Sequence, residues 1–111
     1  MRGMFTCGVI DVFMENGINF DGAAGISAGA TFGCNYKSHQ PGRVIRYNTK
    51  FIQDKRYCGF KVWLKTGNFY STQFCYEEVP LKYDVFDYDT YESNPMAFYI
   101  VCTDVDTGKA E

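Results

Sequence analysis

The sequence predicts an α/β fold, and three observations carry that expectation. Gly25-Ile26-Ser27-Ala28-Gly29 forms a Gly-x-Ser-x-Gly element where a short apolar segment passes into a helix dense in small residues. The run Ala97-Phe98-Tyr99-Ile100-Val101-Cys102-Thr103 is apolar on both faces, as a strand inside a covered sheet is. Around these two segments, apolar residues recur at helical rather than alternate spacing.

Taken in order, the first element is a helix over Met4 to Glu15. Phe5, Val9, Val12 and Phe13 repeat at helical spacing there, and Gly17 stands where a C-terminal cap belongs. Ile18 to Ala24 is a loop leading into a strand. The helix after the Gly-x-Ser-x-Gly element covers Ala30 to Lys37, and Ser38-His39-Gln40-Pro41-Gly42 breaks it. A further helix starts at Pro41 or Gly42 and carries Val44, Ile45, Tyr47, Phe51 and Ile52. Tyr57 to Thr66 is looser and holds the single tryptophan, Trp63. Asn68 to Glu78 is a weaker helical segment that Pro80 is expected to end. Asp87 to Glu92 forms a single turn or short helix. After the strand at 97–103, Asp106-Thr107-Gly108-Lys109 is a turn in which Gly108 supplies a positive φ.

Only two strands are readable, too few to bury these helices in a stable α/β layer. The first helix has no strand before it, and a turn at 106–109 calls for a returning strand. The 111 residues are therefore expected to be a partial domain that lacks its first strand and its C-terminal portion.

Composition narrows the function class. A hydrophobic fraction of 46% and a net charge of -2 describe an ordinary globular chain, not a disordered or nucleic-acid-binding one. No apolar run is long enough to span a membrane, and no signal-peptide pattern opens the chain. The five cysteines, Cys7, Cys34, Cys58, Cys75 and Cys102, are odd in number and widely spaced. That pattern fits neither a disulfide framework nor a zinc site and favours buried free thiols in a reducing, cytoplasmic setting. Basic residues cluster between Arg43 and Lys65 with Asp54 as the single acid, while acids dominate from Glu77 onward. A solvated, charge-paired helix face is the preferred reading of the basic segment, because no alternating aromatic pattern marks a lipid-inserting helix. Peripheral attraction to anionic lipid head groups is the alternative.

The chemistry centres on Ser27. In a nucleophile elbow the serine occupies a tight, strained turn between strand and helix, which lifts its hydroxyl off the end of the sheet. Gly25 and Gly29 flank it because β-carbons there are expected to clash with the neighbouring strand and helix. The helix beginning just after Ser27 adds its positive end and free N–H groups, which favour the oxyanion of an acyl-transfer intermediate. The bare motif is weak, and its bland alternative is a glycine-rich turn with a helix-capping serine. The one histidine, His39, lies at the far end of the same helix, roughly 16–18 Å away at 1.5 Å per residue, and cannot take the serine proton. Asp21 starts the strand whose end carries Ser27, up to about 20 Å distant, and is expected to be a turn residue. None of the acids present has a local reason to approach Ser27.

Three blocks together resemble the patatin-like phospholipase family, in its bacterial branch. Met1-Arg2-Gly3, followed by Met4-Phe5-Thr6-Cys7-Gly8-Val9-Ile10, is similar to the end of the family's glycine-rich oxyanion loop and the helix behind it. Phe20-Asp21-Gly22-Ala23-Ala24-Gly25-Ile26-Ser27-Ala28-Gly29-Ala30 resembles the nucleophile block, and Phe98 to Gly108 resembles the strand and turn after the helical insert. The resemblance implies a three-layer α/β/α fold that hydrolyses lipid acyl esters through a Ser–Asp dyad without metal or cofactor. It implies Ser27 as nucleophile, Arg2 and Gly3 as the last residues of the oxyanion loop, Gly25 and Gly29 framing the elbow, and the Ala28 N–H as a further donor. The sequence departs from the family pattern in lacking the glycines before Met1 and the later Asp-Gly motif that holds the catalytic aspartate. The 111 residues alone are accordingly expected to be nearly inactive. The alternative is a non-catalytic remnant or interaction module on the same fold. A third, weaker alternative is a histidine-using serine acyl hydrolase or acyltransferase. The aromatic middle (Tyr57, Phe60, Trp63, Phe69, Tyr70, Phe74, Tyr76) is read as core packing, with an acyl pocket as its alternative.

Overall fold

The computed structural model describes residues 2–111; Met1, at the head of the first block, lies outside the described residues. The chain divides into two units, Met1–Val44 with Asp87–Glu111, and Ile45–Phe86. The first has mixed α/β character around a small parallel sheet.

In that first unit, α1 (Arg2–Glu15) is followed by β1 (Gly22–Ile26), α2 (Ala28–Lys37), α5 (Tyr88–Ser93) and β2 (Ala97–Val101). The strands pair in parallel with Gly22 opposite Ala97 and Ile26 opposite Val101. Gly17 ends α1 with φ 64, as a left-handed C-cap requires. The buried face of α1 is not the Phe5/Val9/Val12 stripe expected from the sequence. Cys7 and Met14 are buried, whereas Phe5 and Val12 are exposed. The helix is apolar on two sides, and the side bearing Gly3 and Cys7 packs on α2 because only a residue without a β-carbon admits so close an approach. A β-carbon on Gly3 would lie 2.9 Å from Ala28 Cβ and 2.9 Å from Phe32 Cε2.

One face of the sheet is covered by α2, where Gly33 sits against the Phe98 ring. The other face departs from the expected two-sided burial, since Ala24, Ile26 and Tyr99 are exposed. The segment 38–43 is pinned by side chains: Gly42 N donates to Asp11 Oδ1 (2.9 Å), and Arg43 Nη1 donates to the buried Asn35 Oδ1 (2.7 Å). After β2 the chain turns through Gly108 (φ 68). It then begins to return, since Cys102 and Glu111 exchange backbone hydrogen bonds of 2.7 and 2.8 Å.

The second unit contains most of α3 (Arg43–Phe51), α4 (Phe60–Thr66) and a π-helix (Phe74–Tyr83). Phe51, Tyr57, Phe74 and Val79 form its core, with the Phe51 and Phe74 rings edge-to-face at 5.5 Å. Contrary to expectation, Pro80 does not end a helix but lies inside the π-helix. Proline has no N–H to offer the ladder, and its ring crowds the preceding turn of an α-helix; the wider π turn relieves that crowding. Of the seven aromatic residues assigned to core packing, Tyr57 and Phe74 are buried and the other five are exposed. Arg46 holds the buried Asp84 carboxylate through two parallel hydrogen bonds of 2.7 and 2.8 Å.

Candidate active site

Ser27 stands between the last residue of β1 and the first of α2, with φ 53 and ψ -119. A positive φ is rare for a residue bearing a β-carbon and costs of order 1–3 kcal/mol, so the surroundings must impose it. Two features impose it. Ser27 O accepts hydrogen bonds from Ala30 N (3.0 Å) and Thr31 N (3.3 Å), which fixes the start of α2 directly on the serine. Gly25, two residues earlier, lets the helix start fold back over the strand. A β-carbon there would lie 2.6 Å from Ala30 Cα and 2.6 Å from Gly29 O.

The two flanking glycines are not equivalent. A β-carbon on Gly29 would meet nothing within 4 Å, so the clash expected there does not arise. Helix capping does not explain Ser27 either: its side chain makes no cap hydrogen bond to α2, and Oγ has no hydrogen-bond partner among the described residues. The residue is exposed.

The first two N–H groups of α2, on Ala28 and Gly29, have no acceptor within the helix, and no acidic side chain occupies its first turn. That end is therefore positive and uncompensated, suited to a developing anion. Arg2 and Gly3 lie in the first turn of α1, in a helix rather than in the loop expected for them. Through the Gly3–Ala28 contact, this turn is held against the residue that follows Ser27. The N-terminal ends of α1 and α2 thus meet beside the serine.

Asp21 and His39 are both remote from Ser27. Asp21 precedes β1, and its backbone carbonyl accepts a hydrogen bond from Ala97 N (3.0 Å). His39 follows α2 with φ 49. They line one cavity of about 550 Å³ together with Tyr36, Phe20 and Asn94, at the opposite end of the sheet from Ser27. The Tyr36 hydroxyl donates to Ile18 O beside this cavity.

Protein-family models, curated proteins and solved structures offer no match to this chain. What Ser27 can do therefore follows from its own geometry.

Three of the five thiols are poor competitors as nucleophiles. Burial, with Asp11 adding repulsion, pushes Cys7 up to about 11. Burial, with Cys58 adding repulsion, pushes Cys75 up to about 11, and Cys34 is also raised by burial. A thiol that stays protonated is a poor nucleophile. No group of His, Cys, Asp and Glu that could hold a metal ion exists among the described residues.

Proposed function

We propose that the chain is a serine acyl hydrolase of lipase or phospholipase A type, cleaving lipid acyl esters with Ser27 as nucleophile. The observation that supports it most is the strained backbone of Ser27, φ 53 and ψ -119, at a strand-to-helix turn with the side chain exposed and not engaged in capping. An ordinary capping serine has no use for that strain.

In this reading Ser27 Oγ attacks the acyl carbonyl carbon, and its proton passes to a base. The tetrahedral oxyanion is held by the Ala28 N–H and the positive end of α2, with the turn at Arg2 and Gly3 alongside. Collapse expels the alcohol, which takes the proton back from the base, and water then releases the acid from the acyl-serine. The resemblance to patatin-like phospholipases assigns the base to an aspartate of a later Asp-Gly motif. None of the acids in these 111 residues is proposed for that role. The exposed sheet face at Ala24, Ile26 and Tyr99 leaves room for the second helical layer that the three-layer reading requires.

The test is fluorophosphonate labelling of the protein expressed from its complete reading frame, with Ser27→Ala as control. Labelling that is lost in the variant is expected. A folded protein that takes no label would favour the second reading, a non-catalytic module. The one observation in favour of that reading is that Ser27 Oγ has no hydrogen-bond partner among the described residues.

A further inference from the structure

The helix α4 buries none of its residues. Three of its seven residues are large and apolar and face solvent: Phe60 and Leu64 are each 66% exposed and Trp63 is 47% exposed. At about 100° per residue these three share one stripe, while Val62, half-buried, lies on the opposite side. The Phe60 and Trp63 rings pack on each other at 5.3 Å, so the stripe is a preformed aromatic surface. Lys61 and Lys65, one turn apart and both exposed, lie together along one edge of it. The helix is delimited by Gly59 (φ 137) and Gly67 (φ 77). A backbone hydrogen bond from Gly59 N to Phe69 O (3.0 Å) ties its start to a second exposed aromatic pair, Phe69 and Tyr70.

Charge is distributed to match. Residues 45–86 carry seven Lys or Arg against four Asp or Glu, whereas the rest of the chain carries four against nine. Asp54, the one acid between Arg43 and Lys65, is engaged by Arg56 at 2.8 Å.

We infer that this face of α4 docks on an anionic phospholipid surface, with Phe60, Trp63 and Leu64 at the head-group boundary and Lys61 and Lys65 on the lipid phosphates and carboxylates. Aromatic residues with lysines beside them form the composition of helices that lie in a bilayer interface. A protein partner fits less well, because lysine is depleted at the centre of protein–protein interfaces and here it borders the apolar stripe directly. The segment has no alternating aromatic pattern, but the i, i+3, i+4 spacing of Phe60, Trp63 and Leu64 gathers one apolar stripe once it is helical. The inference goes beyond the chemistry at Ser27 and does not depend on it.

Trp63 is the only tryptophan, so its emission reports on this face alone. The experiment uses the Ser27→Ala protein, which removes any hydrolysis of the lipid, mixed with phosphatidylcholine vesicles with and without phosphatidylserine. A blue shift, quenching by brominated acyl chains and reversal by salt are expected with phosphatidylserine only. Lys61→Gln with Lys65→Gln, at two exposed positions, should lower partitioning about thirtyfold while circular dichroism stays unchanged. Trp63 emission indifferent to anionic vesicles, or partitioning indifferent to the two lysines, would overturn the proposal. So would a blue shift that follows protein concentration without vesicles, which would assign the face to a second copy of the chain. Fluorophosphonate labelling reads Ser27 separately, so either proposal can fail while the other stands.

Discussion

Gly25 and Ala30 approach so closely that a β-carbon on Gly25 would stand 2.6 Å from Ala30 Cα and 2.7 Å from Ala30 N. Both obstacles are backbone atoms of a helix start, which cannot rotate aside as a side chain would. Gly25→Ala should therefore reopen the elbow, costing several kcal/mol, about the upper range for an overpacked site. Gly29 is the internal control. Its β-carbon position is open within 4 Å, and it lies in α2. Gly29→Ala should stabilise the protein by about 0.5–1 kcal/mol through lower unfolded-chain entropy. Thermal melts of the two variants test the asymmetry; equal effects would mean that the turn is not closed over Gly25.

Ser27 itself should show the cost of its conformation. With φ 53, its β-carbon is held in a region that glycine enters freely. Ser27→Gly is expected to raise stability by about 1 kcal/mol, although it removes the hydroxyl. Ser27→Ala keeps the β-carbon and should leave stability nearly unchanged, because Oγ makes no cap hydrogen bond. A capping serine would give the reverse result, with Ser27→Ala costing about 1 kcal/mol. Denaturant titration of both variants separates the two roles.

Much of this was legible in the chain, and the failures have physical causes. The strand–serine–helix junction was readable because Gly25, Ser27 and Gly29 are local chemistry, and β2 because Ala97 to Val101 is continuously apolar. Which stripe of α1 is buried was not, because both its sides are apolar and only the partner helix decides. The extent of the segment around Pro80 was missed because proline's rule is written for α-helices, and the π turn evades it. The α4 surface was missed because aromatic residues usually fill cores, and exposure is a tertiary property. The approach of Gly3 to Ala28 joins residues 25 positions apart, and nothing local announces it.

The thiols should be ordered by their surroundings. Cys7 and Cys75, each pushed up to about 11, have roughly one thiolate in a thousand at pH 8. Cys102 is exposed. Iodoacetamide at pH 8 should modify Cys102 first and leave Cys7 and Cys75 until the protein unfolds, as mass spectrometry of timed digests would show. The same shifts set an alkaline limit. Thiols whose folded values lie above the unfolded one contribute stability that is whole below about pH 8.5 and lost as pH rises towards 11. Tyr57, raised to about 12 chiefly by burial, extends that loss upward from pH 10. Stability should thus fall monotonically above pH 8.5, and Cys7→Ser should not serve as a neutral control, since it places a hydroxyl in the same buried site.

The pair Arg46–Asp84 should be unequal under mutation. Their two hydrogen bonds are short and parallel, but the Asp84 side chain is 7% exposed and that of Arg46 is 55% exposed. Removing the carboxylate charge leaves a guanidinium that water can reach, so Asp84→Asn should cost about 1 kcal/mol. Removing the guanidinium takes away two short hydrogen bonds that help offset the desolvation of a carboxylate kept largely out of water. Arg46→Met should therefore cost about 3 kcal/mol, even though methionine keeps most of the apolar stem. The pair of single variants with the double variant, measured in denaturant, gives both the asymmetry and the coupling. Salt should weaken the coupling only modestly, because one partner is sheltered. Equal single-variant costs, or a coupling abolished by moderate salt, would mean that Asp84 is solvated in solution and that the bridge contributes little to the second unit.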